Sequence, residues 1–349
     1  MICAIDFGSC WIRSVFRNPT APERLSMYVE KSEYALIANS EQHRRTLRDE
    51  QIPFAECEGS LVVVGNNAIK AQWLSRVPCT ALLVDGLVPT DDAPARQMLS
   101  VLTEAMLPPP QNDRNLCVLT IPGPCDKSAQ AISNKEFLSR LVRMRGYLPL
   151  VVNPAEASLL ATCSDATFTG ISIVMGAETT SICIARYGMS LATETIATGS
   201  NWIDSEVARQ FQIQTWDEEG HAYLDIENIR QWKLKGNLHI RNAIGDRERM
   251  MSRLYSVVLD RITRTVAQML NCTSVKTALQ KQRLSVMLSG GASMVDGFAS
   301  LLTERFIEHE IAERILSIRC SQDPTTTVVR GSLIYGELEA RALSVDEAA

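Results

Sequence analysis

Histidine is scarce in this chain: His43, His221, His239 and His309 stand far apart in 349 residues and offer no zinc-ligand spacing. No CxxC pair occurs among the ten cysteines (Cys3, Cys10, Cys57, Cys79, Cys117, Cys125, Cys163, Cys183, Cys272 and Cys320). They are scattered, several inside apolar strand-like runs, which argues against a secreted disulfide framework and for reduced, buried thiols in a cytoplasm. No apolar run reaches the length of a membrane span, and the chain passes straight into a strand without a signal peptide or amphipathic leader. A basic field is missing too: 35 Lys and Arg against 40 Asp and Glu give a net charge of -5, so nucleic acid is not an expected partner. What is present is apolar mass. At 46% hydrophobic the chain can bury a large core, and its length suggests two domains.

The opening stretch, Ile2-Cys-Ala-Ile-Asp6-Phe-Gly8-Ser9-Cys10-Trp-Ile-Arg13, reads as two strands joined by a tight turn. Backbone amides at such a turn can cradle an anion, with Asp6 nearby to hold Mg²⁺ or its waters. Asn18 to about Gly59 reads as polar and irregular, and Glu41-Gln-His-Arg-Arg-Thr-Leu-Arg48 as a solvated charged face. Leu61 to Gly65 is a strand, and Asn66 to Trp73 a short helix carrying Lys70. Asp85-Gly-Leu-Val-Pro-Thr90 turns into a helix with Met98, Val101, Leu102 and Ala105 on one side. The strand Leu116–Ile121, a helix from about Lys127 to Arg145 and the strand Leu148–Asn153 form a parallel strand, helix, strand unit.

After a small-residue helix from Pro154 to Thr162, the opening pattern returns as Gly170–Val174, a turn Met175-Gly-Ala-Glu-Thr-Thr180 and Ser181–Arg186. Two glycine-cornered hairpins about 165 residues apart suggest a duplicated architecture. Asn201 or Asp204 is expected to cap the helix near Ile203–Phe211, and helices follow at Ile226–Leu234 and Arg247–Leu270. Leu284 to Ser289 is a strand running into Gly290 and Gly291, where the backbone can approach a flat ring or a phosphate.

In this order and spacing, the three glycine motifs resemble those of the actin-like ATPase superfamily, with the shape protein MreB nearest in length. Asp6-Phe-Gly8-Ser9, with Cys10, is similar to the first phosphate loop, Val174 to Ser181 to the second, and Ser289-Gly290-Gly291-Ala292 to the adenosine motif. Asn153-Pro-Ala-Glu-Ala resembles the first connecting helix, and Glu227-Asn-Ile-Arg230 stands where relatives contact adenosine. Asp85-Gly-Leu-Val and Asp323-Pro324 leading into Val329-Arg-Gly-Ser are further similar stretches. Lys70 lies near a catalytic lysine of the heat-shock chaperones, yet an exposed helical lysine is the expectation.

The resemblance implies an α/β, two-lobed actin-like (duplicated ribonuclease-H-like) fold with ATP or ADP and Mg²⁺ in a central cleft. The first lobe is expected over 1–148 (core 1–30 and 81–148, smaller subdomain about 31–80), completed by 324–349. The second is expected over 149–323 (core 149–195 and 250–323, smaller subdomain about 196–249). Implied nucleotide contacts are Gly8, Ser9, Cys10, Gly176, Thr179, Thr180, Glu227, Arg230, Gly290, Gly291 and Ala292; Asp6 is the implied metal residue through water, and Asp6 and Asn153 the implied catalytic pair.

The departures from the superfamily pattern are specific. Val174 replaces the Asp that opens the second loop, and Ser181 the acidic residue that closes it. Asn153 stands where a Glu or Gln orients the attacking water, and Glu178 brings a carboxylate to the phosphate side. At an effective dielectric of 20, such a charge about 4 Å from a phosphate opposes binding by about 4 kcal/mol. The expectation is a cytoplasmic, self-associating filament protein with weak or absent ATP hydrolysis. The alternative is a non-polymerising scaffold of the FtsA or PilM kind that recruits cytoplasmic or inner-membrane proteins, with membrane contact open. A small-molecule kinase is the third reading.

Overall fold

The computed structural model describes residues 1–18, 21–75, 77–111, 115–123, 128–216, 220–235 and 238–346. The first half contains β1 (Ile2–Phe7), β2 (Trp11–Asn18), β3 (Ala21–Lys31), β4 (Glu33–Ala38), α1 (Glu41–Asp49), β5 (Ala55–Cys57), β6 (Ser60–Val64), α2 (Asn66–Ser75), β7 (Cys79–Ala81), α3 (Ala93–Met106), β8 (Leu116–Thr120), α4 (Ala129–Met144) and β9 (Leu148–Val151). The second contains α5 (Pro154–Thr162), β10 (Gly170–Met175), β11 (Thr180–Arg186), β12 (Met189–Ile196), α6 (Ser200–Gln210), β13 (Gln214–Trp216), β14 (Ala222–Leu224), α7 (Ile226–Lys235), α8 (Asp246–Asn271), α9 (Thr273–Leu279), β15 (Leu284–Ser289), α10 (Phe298–Glu308), β16 (Ile315–Cys320) and α11 (Thr327–Asp346).

Two large sheets share one topology. Their strand orders are β3-β2-β1-β8-β9 and β12-β11-β10-β15-β16. Each is an antiparallel meander that continues as parallel strands across helical crossovers. Their inner strands are buried on both faces, which is why Ile2–Phe7 and Gly170–Met175 read as nearly continuous apolar runs. This is the duplicated, two-lobed α/β fold that the repeated hairpins suggested.

The equivalence reaches individual residues. Asp6 pairs in register with Arg13 on β2 and Thr120 on β8; Val174 pairs with Ser181 on β11 and Ser289 on β15. Helix α11 then lies across β1, β2 and β8 and crosses α5, so the two halves are joined by a helix pair as well as by the chain. At that crossing a Cβ on Gly331 would stand 1.8 Å from the Ala157 carbonyl oxygen.

Several local expectations are corrected. The described residues of Asn18–Gly59 are regular rather than irregular: β3, β4, α1 and β5 occupy most of them, and residues 19 and 20 lie outside the description. Among the described residues, strand β3 lies at a sheet edge and pairs with β2 alone, so polar residues stand along it and its period is weak. Helix α1 is capped by Ser40 and buries only Leu47, so the charged stretch is a solvated helical face. On α3 the buried face is Ala95, Met98, Leu99, Leu102, Thr103 and Met106, while Val101 and Ala105 are exposed. Thr103 holds a core position by donating its hydroxyl to the Leu99 carbonyl at 2.7 Å. Helix α6 is capped by Gly199 rather than by Asn201 or Asp204. Helix α4 begins after Ser128, and Cys125 and the expected helix start at Lys127 lie outside the described residues.

Candidate functional site

The glycine hairpins of the two sheets face each other across a cavity of about 1660 Å³. Asp6, Gly8, Ser9 and Cys10 line one wall; Val174, Gly176, Ala177, Glu178, Thr179 and Ser181 line another. Gly290, Gly291, Ala292, Glu227 and Arg230 also border it. Thus nearly every residue singled out in the sequence converges on one space.

Each wall has a physical reason for its residues. A side chain at position 8 would place its Cβ 2.5 Å from the Trp11 carbonyl oxygen, so the first turn can close only on glycine. Ser9, within that turn, is 8% exposed, and its Oγ has no partner among the described residues. A buried hydroxyl without a partner is costly unless a ligand or water completes it, and this one sits in the cavity wall. Burial pushes the Cys10 thiol up, so it meets the cavity as a neutral group.

At the adenosine motif, Gly290 has φ +86°, and a Cβ there would lie 2.2 Å from the Met175 carbonyl oxygen. Its amide donates to the Pro324 carbonyl at 2.8 Å, which ties β15 to the segment before α11. Gly291 has open space where a Cβ would stand, and Ala292 beyond it is buried.

The second loop is pinned from behind. Its Gly176 and Ala177 carbonyls accept from the Ser200 and Asn201 amides at 3.0 and 2.8 Å, spending the first turn of α6. Asn201 thereby meets Glu178, to which its side-chain amide donates. Burial raises the Glu178 carboxyl above the usual range, and Asp85 adds to it; Asn201 and Arg230 pull the other way. Thr179 lines the cavity, whereas Thr180 is fully buried and its hydroxyl donates to the Thr198 carbonyl at 2.8 Å. The expected phosphate contact by the Thr180 side chain is therefore replaced by a structural one.

At the cavity's far edge, Arg230 donates from Nη2 to Asn201 Oδ1 at 2.8 Å and from Nη1 to Glu227 Oε2 at 3.3 Å. The same Nη1 reaches Glu33 Oε1, in the first half of the chain, at 3.2 Å. Lys31 Nζ stands 3.6 Å from Glu227 Oε2 and 4.6 Å from the Trp11 ring centroid. Burial opposes the Glu227 charge, but the hydrogen bond from Gln231 and the charges of Lys31 and Arg230 hold its carboxyl below the usual range. Sequence reading missed Lys31, Glu33 and Asn201 as partners in this network, because they come from separate elements and leave no local pattern.

The catalytic and metal expectations fare differently. Asp6 accepts from the Thr120 hydroxyl at 2.6 Å and has Arg13 Nη1 at 3.9 Å; burial raises its carboxyl against both. Val174, its equivalent in the second sheet, packs with Ala155, Leu159 and Val328. Asn153 caps α5, its Oδ1 accepting from the Ala155 amide at 2.8 Å. Among the described residues, no group of three or more His, Cys, Asp or Glu side chains could hold a metal ion. The glycine turns and the Ser9 hydroxyl are of a kind that can take a phosphate, and of the carboxylates nearest the two turns Asp6 is engaged by Thr120 and Arg13 and Glu178 by Asn201. Lys70 is exposed on α2.

The family model described as Volactin matches residues 1–335. The chain belongs to the volactin family. Among solved structures, the chain is similar to the one described as the MamK double helical filament, with 16% identity over 96% of this chain and 98% of that one at a TM-score of 0.66. It is likewise similar to MreB 5 of Spiroplasma citri bound to AMPPNP, with 14% identity over 99% and 98% of the two chains and a TM-score of 0.68. The ADP-bound form of that MreB 5 gives 14% identity over 98% of each chain at 0.66. These likenesses establish the actin-like fold. A comparison with curated proteins finds no match. Among the described residues, no helix is long and apolar enough to cross a membrane.

Proposed function

We propose that this chain binds ATP or ADP in its interlobe cleft and self-associates into filaments, hydrolysing nucleotide weakly or not at all. The observation that carries the nucleotide reading is the buried Ser9 hydroxyl, without a partner among the described residues, in a glycine-closed turn opposite a second glycine loop. A phosphate oxygen supplies the acceptor that this hydroxyl lacks. Gly290 and Gly291 would let a nucleoside lie close to the backbone, and Glu227 and Arg230 stand at its edge. In this reading the smaller and larger segments of each half lie near the expected boundaries, except that β9 pairs with β8 and so belongs to the first lobe, and α5 and α11 cross between the lobes.

Weak hydrolysis follows from two replacements. Val174 gives an apolar contact where a second carboxylate would help hold the metal's waters, and the Asn153 side chain is spent on a helix cap. Self-association is supported by the fold shared with MamK, whose structure is described as a filament. A filament requires a head-to-tail interface that repeats without closing.

High-speed sedimentation of the purified protein with ATP, with ADP and without nucleotide tests this reading, alongside phosphate release. The expected result is a pelleting fraction that grows with protein concentration and depends on nucleotide, with phosphate release near background. A monodisperse monomer under all three conditions would favour the scaffold alternative. Rapid turnover lost on Asp6→Ala would refute weak hydrolysis.

A further inference from the structure

The chain passes from the first large sheet to its small neighbouring sheet through Lys31, Ser32 and Glu33. Both charged side chains of this corner engage the second half of the molecule. Lys31 is 7% exposed and Glu33 15%, and their partners Glu227 and Arg230 are 35% and 17% exposed. The contacts continue from Arg230 through Asn201 to Glu178, so hydrogen bonds link this corner to the second glycine loop. The cavity keeps about 1660 Å³ with all of these contacts made, and that is ample for a nucleotide. These charged pairs bridge the two lobes at the border of a ligand-sized space and tie the lobes together without filling it.

We propose that Lys31 and Glu33, with Glu227 and Arg230, form a gate over the cleft, and that Asn201 is the positioning residue that joins this gate to the second loop. The inference rests on the reading of the cleft as a nucleotide site. A gate differs from a ligand contact in its kinetics. Opening it speeds entry and exit together, whereas removing a contact speeds exit alone.

Stopped-flow binding of a fluorescently labelled ADP to the full chain separates the two. Glu33→Gln keeps the side-chain shape and removes the charge. It should raise both association and dissociation rates about tenfold while the dissociation constant moves less than about threefold. Lys31→Met should act in the same direction. Asn201→Leu combined with Glu33→Gln should be no faster than the faster single variant, because both break one linked network. Unchanged rates would overturn the gate, as would faster release alone or faster entry with tighter binding; additive acceleration would overturn the role of Asn201.

If the wild-type protein binds no nucleotide, the cleft reading fails, and the gate is judged on the empty protein by small-angle X-ray scattering. Glu33→Lys places like charges across the cleft at Arg230. It should give a larger radius of gyration than wild type, with the circular dichroism spectrum unchanged. Equal radii would overturn the gate independently of any nucleotide.

Discussion

Gly331→Ala should destabilise the protein by about 2 kcal/mol or more, although helix propensity alone favours alanine by up to about 1 kcal/mol. The sign is decided at the crossing of α11 and α5. A Cβ on Gly331 would lie 1.8 Å from the Ala157 carbonyl oxygen and 2.4 Å from its carbon, and a backbone carbonyl cannot rotate away. The helices must separate, and the buried contacts of Val329 and Leu333 with Ala157 loosen with them. Gly336→Ala on the same helix is the control. Its Cβ would meet the methyl groups of Val118 and Ile2 at 2.8 and 2.9 Å, which are side-chain atoms able to shift. Urea unfolding of both variants should show the larger loss at Gly331. Equal losses would mean that the crossing is less tightly set than these distances state.

Lys233→Met should have the second large effect, about 3 to 5 kcal/mol of lost stability. Asp204 on α6 is fully buried, and Lys233 Nζ reaches both its carboxylate oxygens at 2.7 and 2.8 Å. Without the ammonium, a buried carboxylate loses its direct partner and keeps only the more distant charge of Arg230. Burial already raises the Asp204 carboxyl against the pull of Lys233, so removing the lysine raises it further. A folded-state value raised above the unfolded one gives stability that is present at low pH and lost as pH rises through it. The variant should therefore regain stability on acidification from neutral pH toward the unfolded carboxylate range, relative to wild type. Replacing both residues, Asp204→Leu with Lys233→Met, should recover most of the loss, since well-packed apolar residues can substitute for a buried pair. A double variant as unstable as the single one would contradict this account.

These two effects show what sequence does and does not carry. The strands β1 and β10 were legible because both faces are buried, and the first hairpin and the turn after β15 were legible because glycine is forced by close backbone approach at Gly8 and Gly290. The same forcing made the cavity walls readable, and the repeat of the pattern exposed the duplication. Edge strand β3 was not legible, because half of its environment is water. The apolar face assigned to α3 drifted to Val101 and Ala105, because Thr103 is buried through a hydrogen bond that composition does not reveal. The caps expected of Asn201 and Asp204 were overridden by tertiary partners, Glu178 and Arg230 for the one and Lys233 for the other. The pairing of Glu33 with Arg230 spans 197 positions, and no local pattern announces a contact of that range.

The central claim is that the cleft holds a nucleotide, and calorimetric titration of the purified protein with ATP and with ADP, with and without Mg²⁺, tests it most directly. The account predicts saturable binding at one site per chain, with dissociation constants in the micromolar range or below, weakened markedly by Gly8→Val, whose side chain cannot fit beside the Trp11 carbonyl. Absence of binding to either nucleotide, with the protein folded, would contradict it.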